Sequence, residues 1–183
     1  MDGDVFGREG MVMDFGLFLL RVVVGLTLAA HGSQKLFGWF GGGGVAGTAP
    51  VMETLGFVPG KRAAWMAGLA EAGGGLLLAL GAATPLASAV VLGVMLVAIV
   101  SVHLKNGFFV MNHGYEYPMV LAAAALSVAF TGPGRLSIDA LAGLHASGAE
   151  WALAALVVGS GGAAIQLAAR RRNEAHVQQP HRA

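Results

Sequence analysis

The sequence predicts an all-α membrane protein: a four-helix transmembrane bundle core with a fifth, C-terminal transmembrane helix. Three observations carry this. Of 183 residues, 56% are hydrophobic and only 11% are charged, whereas a soluble domain is about a quarter charged. The mean hydropathy is +0.69, and the apolar residues are bunched into runs near the roughly 20 that a bilayer core of about 30 Å requires. Trp39, Trp65, Trp151, Tyr115 and Tyr117 all fall at the ends of these runs, where amphipathic rings favour the headgroup level. The lipid bilayer is therefore the first partner.

Residues 1–13 read as a short polar leader. It lacks the basic n-region and small-residue cleavage site of a secretory signal, so the first apolar run is expected to stay as a helix. That helix runs from about Phe15 to Gly32 and its pattern extends through Phe37. Residues 41–62 form a connection, because GGGG, Pro50 and Pro59 punctuate it too densely for a helix. The second span covers about Ala63–Ala82 and, after a TPLA turn, the third covers about Leu86–Leu104. Residues 105–115 read as a loop, and a fourth, short helix spans Glu116–Thr131, with Pro118 tolerated in its first turn. The following loop, GPGRLSIDALAGLHASG, has room for one surface helical turn. A fifth span covers about Ala149–Ala169. The chain thus divides into a leader (1–13), a four-helix core (14–141), a loop with an added helix (142–169) and a basic, flexible cytoplasmic tail (170–183).

Five spans put the termini on opposite sides. One side collects Lys35, Lys61, Arg62, Lys105, Arg170, Arg171, Arg172 and Arg182, the other only Arg8 and Arg135. The basic side is expected to be cytoplasmic, with the N-terminus outside.

The candidate site residues are charges in apolar helices. At about 100° per residue, Arg21, Gly25, Leu28, Gly32 and Lys35 share one stripe of the first helix, with His31 at its edge. Ala64, Gly68, Gly75 and Ala79 share a stripe of the second span, and Glu71 lies within it. Small residues let membrane helices approach closely, so Gly25, Gly32, Gly68, Gly74 and Gly75 are read as packing positions. A mid-span carboxylate costs several kcal/mol when exposed to lipid, so Glu71 should face inward. Measured from the outer boundary at 1.5 Å per residue, Arg21 lies at about 9 Å and Glu71 at about 15 Å. An Arg21–Glu71 pair follows, either as a lock between helices or as the lining of a polar pocket for a proton, a quinone or a small solute.

The topology gathers a second cluster, His31, Lys35, His103 and Glu116, with His113 and Lys105, at the cytoplasmic end. Imidazoles near a carboxylate suit a proton relay; as boundary residues they would be merely polar. No histidine spacing matches a metal motif. GGGG at 41–44 is no phosphate loop, since it lacks the GxxxxGK[ST] pattern. The chain has no cysteine, which excludes disulfides, iron–sulfur ligation and thiol chemistry on its own side chains. The net charge of +1 argues neither way about nucleic acid, but the basic residues form no soluble stripe and no nucleic-acid motif appears, so no nucleic-acid partner is expected.

Four stretches occur in a telling order: LFLLRVVVGLTLAAHGSQKLFGWFGG, AGLAEAGGGLLLALGAATPLAS, HLKNGFF followed by GYEYP, and GPGRLSIDAL. In this order, over residues 15–141, they resemble the DoxX family of small bacterial inner-membrane proteins with a four-helix core. That family is related to the DoxD-like membrane subunit of thiosulfate:quinone oxidoreductase. The matching positions are Arg21, His31, Gly32, Lys35, Glu71, Gly74, His103, Gly107, Glu116, Gly134 and Asp139. The resemblance marks Gly134 and Asp139 as a family-motif loop. It implies a multi-pass inner-membrane protein tied to redox, sulfur or oxidative-stress metabolism, with quinone as the cofactor and redox enzymes as partners. Whether the chain is itself an enzyme stays open, because no catalytic motif is complete within it. A scaffold for soluble redox partners and a proton-coupled transporter are the alternatives, and assembly as a homo-oligomer fits either.

Overall fold

A computed structural model describes residues 3–177, with side chains over 9–170. The described residues form helices and connecting loops, without a strand: α1 Gly3–Phe37, α2 Gly44–Thr54, α3 Gly60–Leu80, α4 Thr84–Ala98, α5 Glu116–Thr131, α6 Ile138–Leu141 and α7 Ala149–Val177. Four of the helical stretches are long and apolar enough to cross a membrane: Glu9–Phe37, Gly60–Leu80, Thr84–Asn106 and Ala149–Arg170. The apolar α5 is shorter. The protein is a multi-pass membrane protein built from helices.

α1 and α3 form the tightest pair, and glycine is the reason. A Cβ on Gly75 would come within 2.5 Å of the Gly25 carbonyl oxygen and 2.8 Å of the Ala29 nitrogen. One on Gly32 would lie 2.6 Å from the Gly68 oxygen, and one on Gly68 would lie 2.6 Å from Leu36. The two backbones touch antiparallel, with residue 25 beside 75 and 32 beside 68. Gly74 faces the other way, toward Val90 on α4. α4 is the central helix, packed on α3, α5 and α7. Gly93 and Gly159 bring α4 and α7 together, and a Cβ on Gly159 would lie 2.6 Å from the Ala89 oxygen. Leu28, Leu78, Val91, Ala125 and Val128 form the central core, each at most 1% exposed.

Three expectations need correction. The leader is helical: α1 starts at Gly3 rather than near Phe15, and only Met1 and Asp2 lie outside the described residues. The connection over residues 41–62 contains α2, even though Pro50 lies inside it. Its packing on α3 and α1 outweighs the local penalty of an interior proline. The Glu53 carboxylate of α2 also accepts the Gly60 N–H at 3.0 Å, which caps the start of α3. Finally, α7 continues through Val177, beyond Ala169. Of the expected tail, residues 178–183 lie outside the described residues.

Candidate functional site

The charged residues of α1 and α3 belong to two sites at opposite ends of the bundle, and the expected Arg21–Glu71 pair does not form. In the antiparallel register Arg21 lies beside Gly81. Glu71 is ten residues before Gly81, about 15 Å along the helix axis, too far for an arginine. The length of α1 explains the misjudgement: because it begins at Gly3, Phe15 marks no boundary from which depth can be measured.

At the first end, Arg21 is fully buried. It donates to the Ala79 carbonyl at 3.1 Å, to the Leu78 carbonyl at 3.5 Å and to the Leu136 carbonyl at 2.5 Å. It thereby supplies a donor to the Ala79 carbonyl at the end of α3, adds to the Gly81 N–H that the Leu78 carbonyl already accepts, and fastens the 132–141 loop to that end. Asp139 completes the joint. Its carboxylate accepts the Ala83 N–H at 2.7 Å, the Thr84 N–H at 2.9 Å and the Thr84 hydroxyl at 2.6 Å, capping α4. Its own N–H donates to the Gly81 carbonyl at 2.9 Å. Gly134, at φ +76°, makes the turn that lets Asp14 accept the Arg135 N–H at 2.8 Å. Most polar contacts here tie a side chain of one segment to the backbone of another, so this end reads as a structural joint.

The second end is different. There a cavity of about 1,150 Å³ lies among α1, α2, α3, α4, α5 and α7. Its lining is mostly apolar; His31, Lys35, Glu71, Ser101, His103 and Tyr117 are polar groups on α1, α3, α5 and the end of α4, and Gln34, Thr48, Arg62, Gln166 and Arg170 also line it. The Lys35 ammonium is ion-paired to the Glu71 carboxylate, whose side chain is only 7% exposed. His31 Nε2 lies 3.0 Å from the Tyr117 hydroxyl, with the donor set by the imidazole tautomer. Ser101 sits where α4 loosens into a π-helical turn, Ile99–His103, a distortion frequent at functional sites. Its hydroxyl oxygen is buried and has no hydrogen-bond partner. His103 Nδ1 lies 2.7 Å from the His113 carbonyl.

The expected cytoplasmic-end cluster therefore assembles in part. His31, Lys35 and His103 share the cavity, joined by Glu71. Glu116 is drawn away, because its carboxylate accepts the Val110 N–H at 2.9 Å and closes the 107–115 loop on itself. Among the described residues no group of three or more His, Cys, Asp or Glu is placed to hold a metal ion. Sequence reasoning missed three contributors. Tyr117 was read as a headgroup-level aromatic only, Ser101 carries no signal in an apolar helix, and α2 was hidden by glycine and proline. The spacing of Val51, Met52 and Leu55, all facing the cavity, was the available sign of a helix there.

Residues 16–104 match the family model described as DoxX. This shows the resemblance read from the motifs over α1 to α4, so the chain carries a DoxX domain. The match includes Arg21, His31, Lys35, Glu71, Ser101 and His103, whereas Tyr117, Asp139 and all of α7 lie beyond it. No curated protein and no solved structure matches the chain.

Proposed function

We propose that this DoxX-domain membrane protein is a redox-associated component of the bacterial inner membrane that binds a quinone head group at the polar end of its cavity. The observation that carries this is the composition of the cavity: apolar walls ending in a small set of convergent polar groups, the usual form of a small-molecule site. When bound, a quinone supplies two-electron, two-proton chemistry. The chain's residues fit such a group. The Ser101 hydroxyl has an unused donor and acceptor, and the Lys35 ammonium has protons beyond the one directed at Glu71. The His31–Tyr117 pair can receive or release a proton at the imidazole.

The charge balance selects among the ligands considered from sequence. With Arg21 at the far end and Lys35 neutralised by Glu71, the buried part of the cavity holds no uncompensated cation for a small sulfur oxyanion. A neutral carbonyl compound fits better. A transporter is disfavoured because Leu28, Leu78 and Val91, all fully buried, close the bundle beyond the cavity.

The reading also takes the cavity end as cytoplasmic, because Lys61, Arg62, Lys105 and Arg170 cluster there. The chain has no cysteine, so single-cysteine variants report cleanly. Lys61→Cys should react with an impermeant maleimide only in inverted vesicles and Arg135→Cys only in right-side-out ones; the opposite pattern reverses the orientation. For the function, the purified protein in nanodiscs should bind a short-chain benzoquinone, and Glu71→Gln should weaken that binding several-fold. A wild-type protein that binds no benzoquinone sinks the proposal.

A further inference from the structure

We propose that the ligand of this cavity is a chain-bearing amphiphile that enters sideways from the bilayer between α3 and α7, its single apolar chain lying along that gap. The proposal rests on the cavity being a site for a neutral quinone-class head, and it specifies the rest of the molecule and its route.

Size is the first argument. At about 1,150 Å³ the cavity exceeds the roughly 300–1,000 Å³ that encloses a drug-sized ligand. It extends along α7 from Val158 to Arg170, about 18 Å at 1.5 Å per residue. On α7 the polar lining is confined to Gln166 and Arg170, and the stretch from Val158 to Ile165, about 10 Å, is apolar wall. A head group alone would leave it unfilled.

The second argument is where the cavity opens. Its inner wall is closed by buried side chains, including Leu28, Ala89 and Met95. On α3 and α7, however, Met66, Val158 and Ile165 line the cavity while being 44%, 60% and 72% exposed. Both helices are long and apolar enough to span the membrane, so exposure on their flanks is exposure to lipid. Across the gap, Gln166 Nε2 reaches the Met66 sulfur at 3.9 Å, a weak contact. At the aqueous end Val51 and Val58 also line the cavity while 54% and 56% exposed, but α2 and the segment after it lie there, held by Arg170, which donates to the Leu55 carbonyl at 2.6 Å and stacks 5.9 Å from the Phe57 ring centroid.

The third argument is what the two ends can hold. The polar end offers the neutralised Lys35–Glu71 pair and the Ser101 hydroxyl, which is buried without a partner. These suit an uncharged oxygen-bearing head rather than a phosphate. Apart from the Gln166 amide, the gap offers apolar contacts, continuous with that end. One uncharged head with one flexible chain matches both, whereas a phospholipid brings a charge and two chains.

A pair of glycines provides the test. Gly162 lines the cavity and has nothing within 4 Å of an added Cβ; Gly161 is equally unobstructed but does not line it. Gly162→Trp should therefore block the gap without disturbing the helix, with Gly161→Trp as control. The full chain is placed in nanodiscs and titrated with decyl-benzoquinone and with the same ring lacking the chain. The wild type should bind the decyl compound at least tenfold more tightly. Gly162→Trp should remove most of that advantage while leaving the chainless ring within twofold, and Gly161→Trp should change neither. Equal binding of the two rings, equal effects of the two tryptophans, or a co-purified phospholipid that the decyl compound cannot displace would overturn the lateral, chain-bearing assignment while leaving the head site standing. Failure of both rings to bind the wild type would remove the head site and this inference together.

Discussion

The Lys35–Glu71 pair makes a prediction in which the order of two effects matters as much as their size. The two side chains are unequally enclosed, Lys35 at 26% exposure and Glu71 at 7%. Removing one partner of a buried pair typically costs about 3–5 kcal/mol, because the remaining charge is left uncompensated. Lys35→Met strands a carboxylate that cannot reach water, so it should cost near that full amount. Glu71→Gln strands an ammonium on a flexible stem close to the aqueous end of α1, and such stems carry their charge outward. Its cost should be about 1–2 kcal/mol. The double variant leaves only a neutral amide, so it should lie about 2–3 kcal/mol above the sum of the singles in stability. Reversible unfolding in mixed micelles, followed by far-UV circular dichroism against the mole fraction of SDS, gives all four values. Additivity within about 0.5 kcal/mol, or a Glu71→Gln variant less stable than Lys35→Met, would refute a coupled pair enclosed from the carboxylate side.

Arg21→Met should destabilise by about 2–5 kcal/mol, since the Ala79 and Leu136 carbonyls each lose a buried donor; benzoquinone affinity should stay within twofold, and a loss of binding would show that the two ends are not separate. Asp139→Asn weakens three bonds at the start of α4 and should cost about 1–3 kcal/mol in the same unfolding assay. Gly75→Leu should prevent accumulation of folded protein, because its Cβ would already crowd the Gly25 oxygen and Ala29 nitrogen, whereas Gly73→Leu, with open space at its Cβ, should elute as wild type in size-exclusion chromatography. Tyr117→Phe removes the hydroxyl beside His31 and should weaken benzoquinone binding about five- to tenfold with little loss of stability.

Angular information was legible in the sequence and axial information was not. The stripe of Arg21, Gly25, Gly32 and Lys35 does face the stripe of Gly68, Glu71 and Gly75, because a helical period of about 100° fixes which residues share a side. Nothing in that period fixes how far one helix slides along the other. The slide is set by interlocking glycines, 25 against 75 and 32 against 68, and it exchanges the partners: Glu71 meets Lys35, and Arg21 meets the carbonyls at the end of α3. α5 was read at Glu116–Thr131, its observed bounds, because a proline in the first turn and a Thr-Gly exit mark both ends chemically. α2 was missed for the converse reason. Glycine and proline describe local cost, and here tertiary packing on α3 and α1 overrides it.

The two charged ends differ in what stands beside them, and this is why function is assigned to only one. Around Arg21, the two terminal guanidinium nitrogens are matched to backbone, and only Nε is buried without a partner. The guanidinium meets the carbonyls of α3 and of the 132–141 loop, and Asp139 meets the first amides of α4. The pocket beside this joint is mostly apolar and, at about 500 Å³, less than half the volume of the cavity at the other end. At the other end the ion pair closes on itself, yet Ser101 has no partner, the helix carrying it is distorted, and a large cavity stands beside it. Burying an unpaired hydroxyl costs about 1–3 kcal/mol; Ser88 in the core carries the same cost, but only Ser101 faces the cavity. The glycine contacts between α1 and α3 run from one end to the other. They hold Lys35 and Glu71 on a rigid pair of helices, while the opposite cavity wall is formed by α7, which packs mainly on α4. A ligand entering between α3 and α7 would thus separate two helix pairs without disturbing the packing within either.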